Sequence, residues 1–280
     1  MSGFSPDWLA LRESADRRAR SPTIDSAVAA ALAHLDAPRI CDLGAGTGAS
    51  LRALAPRLGP RQHWVLMDHD PALAAAARRE LCAQANAAQA DGPDLLLDWG
   101  GRAIRVSFAA ADLAADPAAA LAFAPDLVTA SAFFDLASAG WCRAFAAAMA
   151  GAGVMVHAAL TCDGADAWLP PHPADAAVHA AFQAHQARDK GFGPAAGSLA
   201  GAALAGALTD AGHAVMIDDS PWRLGPDDRA LIAALAAGTA GAAREQGGVA
   251  PDDLAAWEAA RRQAASCRIG HVDLFARPAR

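Results

Sequence analysis

Three glycines at alternating positions, Gly44, Gly46 and Gly48, follow a short apolar run, Ile40 to Leu43, that carries one acid, Asp42. A helical pattern, Leu51, Leu54 and Leu58, starts immediately afterwards, so the stretch predicts strand, tight loop and helix. Glycine tolerates positive φ and lets the backbone approach a ligand, and the free N–H groups of a new helix favour an anionic or carboxylate partner. A small polar ligand is therefore expected on Gly44, Ala45, Gly46 and Gly48. The next strand-like run, His63 to Met67, ends in Asp68, 20 residues beyond Gly48. In a parallel sheet a carboxylate there can accept two hydrogen bonds from a ribose diol, which would put His69 beside the attached base. Asp70-Pro71 reads as the cap and first residue of a helix over Ala72 to Ala88.

Asp42, Gly44, Gly46 and Gly48 fill the pattern acid-x-G-x-G-x-G, and the segment resembles motif I of the class I S-adenosylmethionine (SAM)-dependent methyltransferases. Gly44-x-Gly46-x-x-Ala49 equally satisfies the dinucleotide-binding turn of nicotinamide and flavin enzymes, so the motif alone leaves both open. Asp112-Leu113 resembles the methyltransferase adenine-binding element. The resemblance implies that Asp112 accepts from the adenine amino group and that Leu113 donates its backbone N–H. Asp126 to Leu136 resembles that family's fourth strand. It implies that Ala130 and Ser131 flank the methionine part of SAM and that Phe133, Phe134 and Asp135 face the substrate, with core packing as the other reading of the two phenylalanines. The resemblance covers roughly residues 35–160, with weaker support from 199–217 and 268–278.

The chain has 280 residues, 54% of them hydrophobic and 19% charged, enough for one large α/β domain or two smaller ones. A net charge of −7 with no basic block argues against nucleic-acid partners, whose phosphates attract basic surfaces. Five scattered cysteines without a C-x-x-C pair argue for a reducing compartment and against a disulfide framework or a zinc site. With no signal-like N-terminus and no apolar run near the ~20 residues that span a bilayer, a soluble cytoplasmic protein without membrane partners is expected.

Helices are predicted over Asp7 to Ala19 and Thr23 to Leu35, the second capped by Ser21 with Pro22 following. In the resembling enzymes such helices close over the cofactor; Arg12, Arg17 and Arg18 would then reach its carboxylate or form a solvated face. Two apolar runs around Gly100-Gly101 predict a hairpin into the third strand. A helix from about Ser138 to Met149 leads to a fifth strand, Gly153 to Leu160. Further elements are a helix over Leu199 to Ala211 and strands at Ala214 to Ile217 and Ile269 to Ala276. The fold expected is α/β, a seven-stranded Rossmann-like methyltransferase sheet whose last strand is antiparallel, with helices on both faces and a helical lid. Its parts would be N-terminal helices over the cofactor (1–38), the SAM-binding core (39–160), a lid insertion (161–197), and completion of the sheet (198–280) with a helical insertion at about 218–268.

Both insertions follow strands that end on the side of the glycine loop, where open α/β sheets bind ligands. Within them Asp163, Trp168, Gln186, Lys190 and Trp222 are candidate substrate contacts. Lys190 as a helix terminator and His185 as a satisfied buried residue are the structural alternatives. His172, His179 and His185 share no helical face, so no metal site is expected.

The resemblance implies methyl transfer to an O or N atom of a small-molecule metabolite, with SAM as cofactor and S-adenosylhomocysteine as product. Displacement at a sulfonium methyl needs alignment and exclusion of water, and an acceptor proton needs a base. Asp135, His157 and His185 are the candidates, Asp135 first because it follows the fourth strand. The alternatives are an NAD(P)-dependent oxidoreductase and a non-catalytic SAM-binding protein. An antiparallel terminal strand separates the first from a methyltransferase, since dinucleotide folds do not need one.

Overall fold

In the computed structural model, which describes residues 4–279, the sheet is built around β1 (Arg39–Leu43), buried from Ile40 onward and flanked by parallel neighbours on both sides. Such a strand must be apolar on both faces, and alternate residues serve two cores. Cys41 and Leu43 pack with Phe134, Trp141 and Phe145 on one face, while Ile40 packs with Ile24, Leu51 and Trp64 on the other.

The N-terminal helices are α1 (Pro6–Ala19) and α2 (Pro22–Leu32), capped by Ser5 and Ser21, each with proline in its first turn. After β1 come α3 (Ala49–Leu54), β2 (Arg61–Met67) and α4 (Pro71–Gln84), the last capped by Asp70. A meander of β3 (Ala87–Asp91), β4 (Asp94–Asp98) and β5 (Ala103–Ala109) follows, then β6 (Leu127–Ser131), α5 (Ala139–Gly151) and β7 (Met155–Leu169). The remaining elements are α6 (Asp175–Gln186), α7 (Ala200–Asp210), β8 (His213–Asp219), β9 (Trp222–Leu224), α8 (Arg229–Gln246), α9 (Pro251–Arg261) and β10 (Ser266–Pro278).

The strands lie in the order β3-β4-β5-β2-β1-β6-β7-β10-β8, with β9 beside β10. β5, β2, β1, β6 and β7 are mutually parallel, and β10 runs antiparallel between β7 and β8. This is the expected α/β sheet: third, second, first, fourth, fifth, seventh, sixth, with the terminal strand reversed. A dinucleotide-binding sheet has no strand in that inserted place.

Two stretches differ from the sequence reading. The helix expected to reach Ala88 stops at Gln84, and Ala87–Asp91 becomes an edge strand because β4 offers it a pairing partner. The fifth strand continues past Leu160 to Leu169, so residues 161–169 are not lid but an antiparallel arm paired with Ser266–Ile269. The arm carries α6, α8 and α9, which pack together around Trp168, Val178, Leu231, Ile232, Leu254 and Trp257. Arg261, almost fully buried there, donates to both Asp175 oxygens at 2.6 and 2.7 Å and to the Pro170 carbonyl. No helix among the described residues is long and apolar enough to cross a membrane.

Candidate functional site

The β1–α3 turn takes the form that its glycines permit. Gly44, Gly46 and Gly48 have φ of 60°, 54° and 83°, in the left-handed region where a side chain is strained. The Ala45 N–H donates to the Met67 carbonyl at 3.0 Å and the Gly48 N–H to the Ala45 carbonyl at 2.8 Å, closing the curl onto the end of β2. Asp68 then ties three strands together. Its N–H donates to Ala109 at the end of β5, while its two carboxylate oxygens accept from the N–H groups of Gly46 (2.9 Å) and Asp70 (3.0 Å). Each oxygen keeps a second lone pair free. The exposed His69 ring lies 3.6 Å from the Asp68 carboxylate.

Asp42 stands at the base of the curl, fully buried, and neither carboxylate oxygen meets a hydrogen-bond donor in good geometry even though the Ser50 hydroxyl is near. Burial pushes its pKa up to about 7, against the pull of Ser50 and Arg20.

Beyond the curl, Ala130 forms the buried floor of β6, and Ser131 follows at its half-buried end. Ala132 leaves that strand with φ 50°, and Leu160 bends β7 with φ 54°. Non-glycine residues hold such angles only where the surroundings fix them. Here the Ala132 N–H donates to Ala159, and the Leu160 N–H to the buried Asp273 carboxylate, which also accepts from the Ser21 N–H. Phe133 lies against the curl, its Cδ2 2.9 Å from where a Gly44 Cβ would stand. Asp135 follows, half-buried, with one carboxylate oxygen enclosed and without a partner; burial raises its pKa. On the β5 side, Asp112 accepts from the N–H groups of Ala114 and Ala115, and the Leu113 carbonyl accepts from Trp141 Nε1 at 2.7 Å.

α1 roofs the curl. Leu9 Cδ1 is 2.9 Å from where a Cβ on Gly46 would stand. Glu13 takes both arms of the buried Arg52 of α3, at 2.8 and 2.6 Å, and Arg52 also donates to the Thr47 carbonyl. Asp16 accepts from Arg12 and from Trp222 Nε1. The cavity left between Glu13, Arg17, Arg20, Ser50, Ser131 and Leu160 measures about 20 Å³, room for about one water. The curl is thus covered by α1 on the side of Leu9.

Several expected site residues stand elsewhere. His157 lies mid-strand in β7, fully buried, with Nδ1 2.9 Å from Thr129 Oγ1; burial lowers its pKa to about 3, so it cannot meet a substrate or hold a proton near neutrality. His185 pairs with Glu245 of α8 at 3.1 Å and serves helix packing in the lid. Phe134 is 1% exposed inside the aromatic cluster. Trp168 is packed on Trp257 and bonded to Asp166, and Trp222 lies beneath Arg12 and against His271, so neither presents a free wall. Gln186 packs by its main chain and Cβ near Gly197. Asp163 crowds Gly270 and accepts from Ala165. Lys190 sits in a turn closed by Asp189, whose carboxylate holds the N–H groups of Gly191 and Gly193. That turn delivers Phe192 onto Phe133, with ring centroids 5.4 Å apart. Arg12 and Arg18 are taken by Asp16 and Asp228, while Arg17, paired with Glu13, borders the small cavity.

Reading the sequence missed Glu13, Arg52, Phe192, Asp273 and the buried Arg20–Asp25 pair. The charged ones were signalled only as charges that punctuate otherwise apolar helices and strands, and Phe192 only by its place between two glycines.

No family model matches the sequence, and no curated protein matches it. Solved structures similar to this chain include an O-methyltransferase family protein from Burkholderia thailandensis, 20% identical, covering 75% of this chain and 53% of its own, with a TM-score of 0.45. The chain thus spans about half the length of that protein. A cyclopropane-fatty-acyl-phospholipid synthase-like protein from Lactobacillus casei is 18% identical, covering 98% and 94%, with a TM-score of 0.48. A geranyl diphosphate C-methyltransferase from Streptomyces coelicolor is 12% identical, covering 86% and 74%, with a TM-score of 0.40. At such identities and TM-scores these likenesses carry no functional argument, which rests on this chain's own geometry.

Proposed function

We propose that the chain is a SAM-dependent methyltransferase acting on an O or N atom of a small molecule. The observation that carries this reading is the conjunction of a left-handed glycine curl at the end of β1, the Asp68 carboxylate bonded to that curl from the end of β2, and the reversed β10 between β7 and β8. The same curl and acid would serve a nicotinamide enzyme, but the reversed inserted strand is foreign to the dinucleotide fold.

The residues fit the cofactor once α1 moves. Asp68 retains acceptor capacity on both oxygens for the ribose hydroxyls, and Asp112 and Leu113 stand at the end of β5 for the base. The unpartnered Asp42 below the curl suits an ammonium. When bound, SAM supplies a methyl group activated by a positive sulfur. The protein's part is to hold the acceptor in line, keep water out under α1 and the lid, and take the acceptor's proton. Asp135 takes that last role in this reading. Its enclosed oxygen is free, and a raised pKa makes it a better proton acceptor than an ordinary carboxylate. Phe133 and Phe192 would form the apolar side of the acceptor chamber.

Calorimetric titration with S-adenosylhomocysteine and, separately, with NADH tests the proposal. Micromolar binding of the first and none of the second is expected; tight NADH binding alone would overturn it. Turnover of labelled SAM across a panel of small alcohols, phenols and amines distinguishes an enzyme from a non-catalytic SAM binder.

A further inference from the structure

The core around Trp168, Trp222 and Trp257 is separate from the two cores on the faces of the sheet, and it takes in α1. Ala15 of α1 is buried in it, with Trp8 and Ala19 packed alongside. Among the described residues, neither core on the sheet contains a buried residue of α1, α6, α8 or α9. Polar ties join α1 to the same body. Asp16 accepts from Trp222 Nε1 at 3.0 Å, the Arg12 guanidinium lies over the Trp222 ring at 5.0 Å, and Arg18 pairs with Asp228 at 2.5 Å. Toward the sheet α1 presents Leu9, against Gly46, and Glu13, paired with Arg52. In sequence α1 precedes the sheet; in packing it belongs with the arm.

The chain passes between this body and the sheet at places that can bend. In the β7–β10 ladder Thr161 pairs with Val272 and Ala158 with Leu274, so Asp273 stands opposite two residues, one of them Leu160 with φ 54°. Farther out, Cys162 pairs with His271 and Asp166 with Ile269, so Gly270 alone stands opposite Asp163, Gly164 and Ala165. Bulges of this kind bend and twist the strand that carries them. Gly164 has φ 81°, and the return from α6 to α7 holds Gly191, Gly193 and Gly197, all at positive φ. Two of the crossings meet on one side chain: the buried Asp273 carboxylate accepts from the Ser21 N–H at 2.8 Å, where α1 gives way to α2, and from the Leu160 N–H at 2.7 Å. Ser21 Oγ in turn donates to Asp218, just before the chain leaves β8 for β9. Domain hinges are made of a few such residues at the ends of elements.

We propose that α1, the β7–β10 arm, β9 and helices α6, α8 and α9 turn as one body about Asp273, and that the Glu13–Arg52 pair holds this body closed over the glycine curl. Opening lifts Leu9 from Gly46 and parts Glu13 from Arg52, while the contacts of Asp16 with Trp222 and of Arg18 with Asp228 travel with the body. The N-terminal helix and the lid are one moving part. That the opened curl admits SAM rests on the proposed function; the motion itself does not.

Removing the Glu13 carboxylate leaves Arg52, almost fully buried, as an uncompensated charge that opening would hydrate. The test measures distances between pairs of nitroxide labels on the full chain without ligand, with Cys82 and Cys162 changed to serine and the three buried cysteines kept. Labels sit at the exposed positions Ala10→Cys on α1, Ala259→Cys on α9 and Ala147→Cys on α5, which belongs to the sheet. With Glu13→Ala, both distances to position 147 are expected to change together by more than ~2 Å, the scale of a loop or domain rearrangement, while the distance from 10 to 259 stays as it was. Glu13→Gln, which keeps the side chain's shape, takes its place if circular dichroism shows the alanine variant unfolded. Asp273→Asn, with one acceptor oxygen for two N–H groups, should broaden both distances to position 147 and leave the third narrow. The proposal is overturned by distances to position 147 that do not move in the folded variant, by movement of position 10 without position 259, or by an Asp273→Asn variant with distances as narrow as the wild type's. Because the measurement is made without ligand, its failure would leave the methyltransferase reading standing, and a failure to bind S-adenosylhomocysteine would leave the hinge standing.

Discussion

Removing the Asp68 carboxylate should separate ligand binding from folding. In Asp68→Ala, the N–H groups of Gly46 and Asp70 lose their acceptors, and so would two ribose hydroxyls. Hydrogen bonds to a charged group contribute about 1.5–3 kcal/mol each. At the lower end, two ribose bonds amount to ~3 kcal/mol, which is roughly a hundredfold in Kd. The two main-chain bonds belong to the folded state, free or bound, and their loss should lower Tm by several degrees, as ~2–4 °C per kcal/mol is usual for a chain of this size. Calorimetry with S-adenosylhomocysteine, on protein shown to be folded at the working temperature, reads the first effect; a thermal melt reads the second. Asp68→Asn keeps the shape and one acceptor and should fall between the wild type and alanine. If the folded alanine variant binds S-adenosylhomocysteine within threefold of the wild type, the ribose does not lie on Asp68 and the orientation inferred for the cofactor is wrong.

Asp135→Asn should cut kcat by ~10²–10⁴ while leaving S-adenosylhomocysteine affinity unchanged; wild-type turnover should rise with pH through a midpoint above the ordinary carboxyl range, and a variant with equal kcat would remove Asp135 from the chemistry. Asp42, with a pKa raised to about 7, holds a proton in the folded state that the unfolded chain releases near pH 4, so its contribution to stability falls as pH rises from about 4 to 7. Urea denaturation should show Asp42→Asn gaining on the wild type by up to ~1.4 kcal/mol per pH unit across that window and levelling above it; a constant difference would contradict the burial argument. Glu13 has the opposite sign: Arg52 holds its carboxyl below the usual value despite burial, so the stability it confers is present above the ordinary carboxyl range and lost as pH falls through the lowered value. Glu13→Gln should remove that acid-side loss and cost about 2 kcal/mol at pH 7, measured by the same denaturation. Leu9→Ala should shift α1 toward an open position by ~1 kcal/mol, roughly fivefold in the opening equilibrium, seen as faster association of S-adenosylhomocysteine in stopped flow.

The parts of the site that were legible from the sequence are those whose chemistry depends on close spacing. The glycines of the curl, Asp42 before them and Asp68 at the end of the next strand are placed by local geometry, and the helix caps Ser21, Asp70 and Ser138 announce themselves by the residues after them. What escaped depends on partners distant in the chain. Glu13 and Arg52 lie 39 positions apart, and on its own helix Glu13 reads as part of a solvated face. Asp163-Gly164-Ala165-Asp166 has the composition of a loop and becomes strand only because Ile269 and its neighbours pair with it. His157 shows the converse. Its place in a family-like fifth strand suggested chemistry, but a mid-strand residue of a central parallel sheet faces a core, where Thr129 bonds its Nδ1 and Nε2 is buried without a partner.

α1 is clasped at two ends of the chemistry: Glu13 holds it to the helix that follows the glycine curl, while Asp16 and Arg18 hold it to Trp222 and Asp228 at the foot of the lid. If the proposed function holds, one rod would answer to both binding events: an acceptor that strengthens the grip on the methyl donor by some factor would have its own grip strengthened by the donor by that same factor.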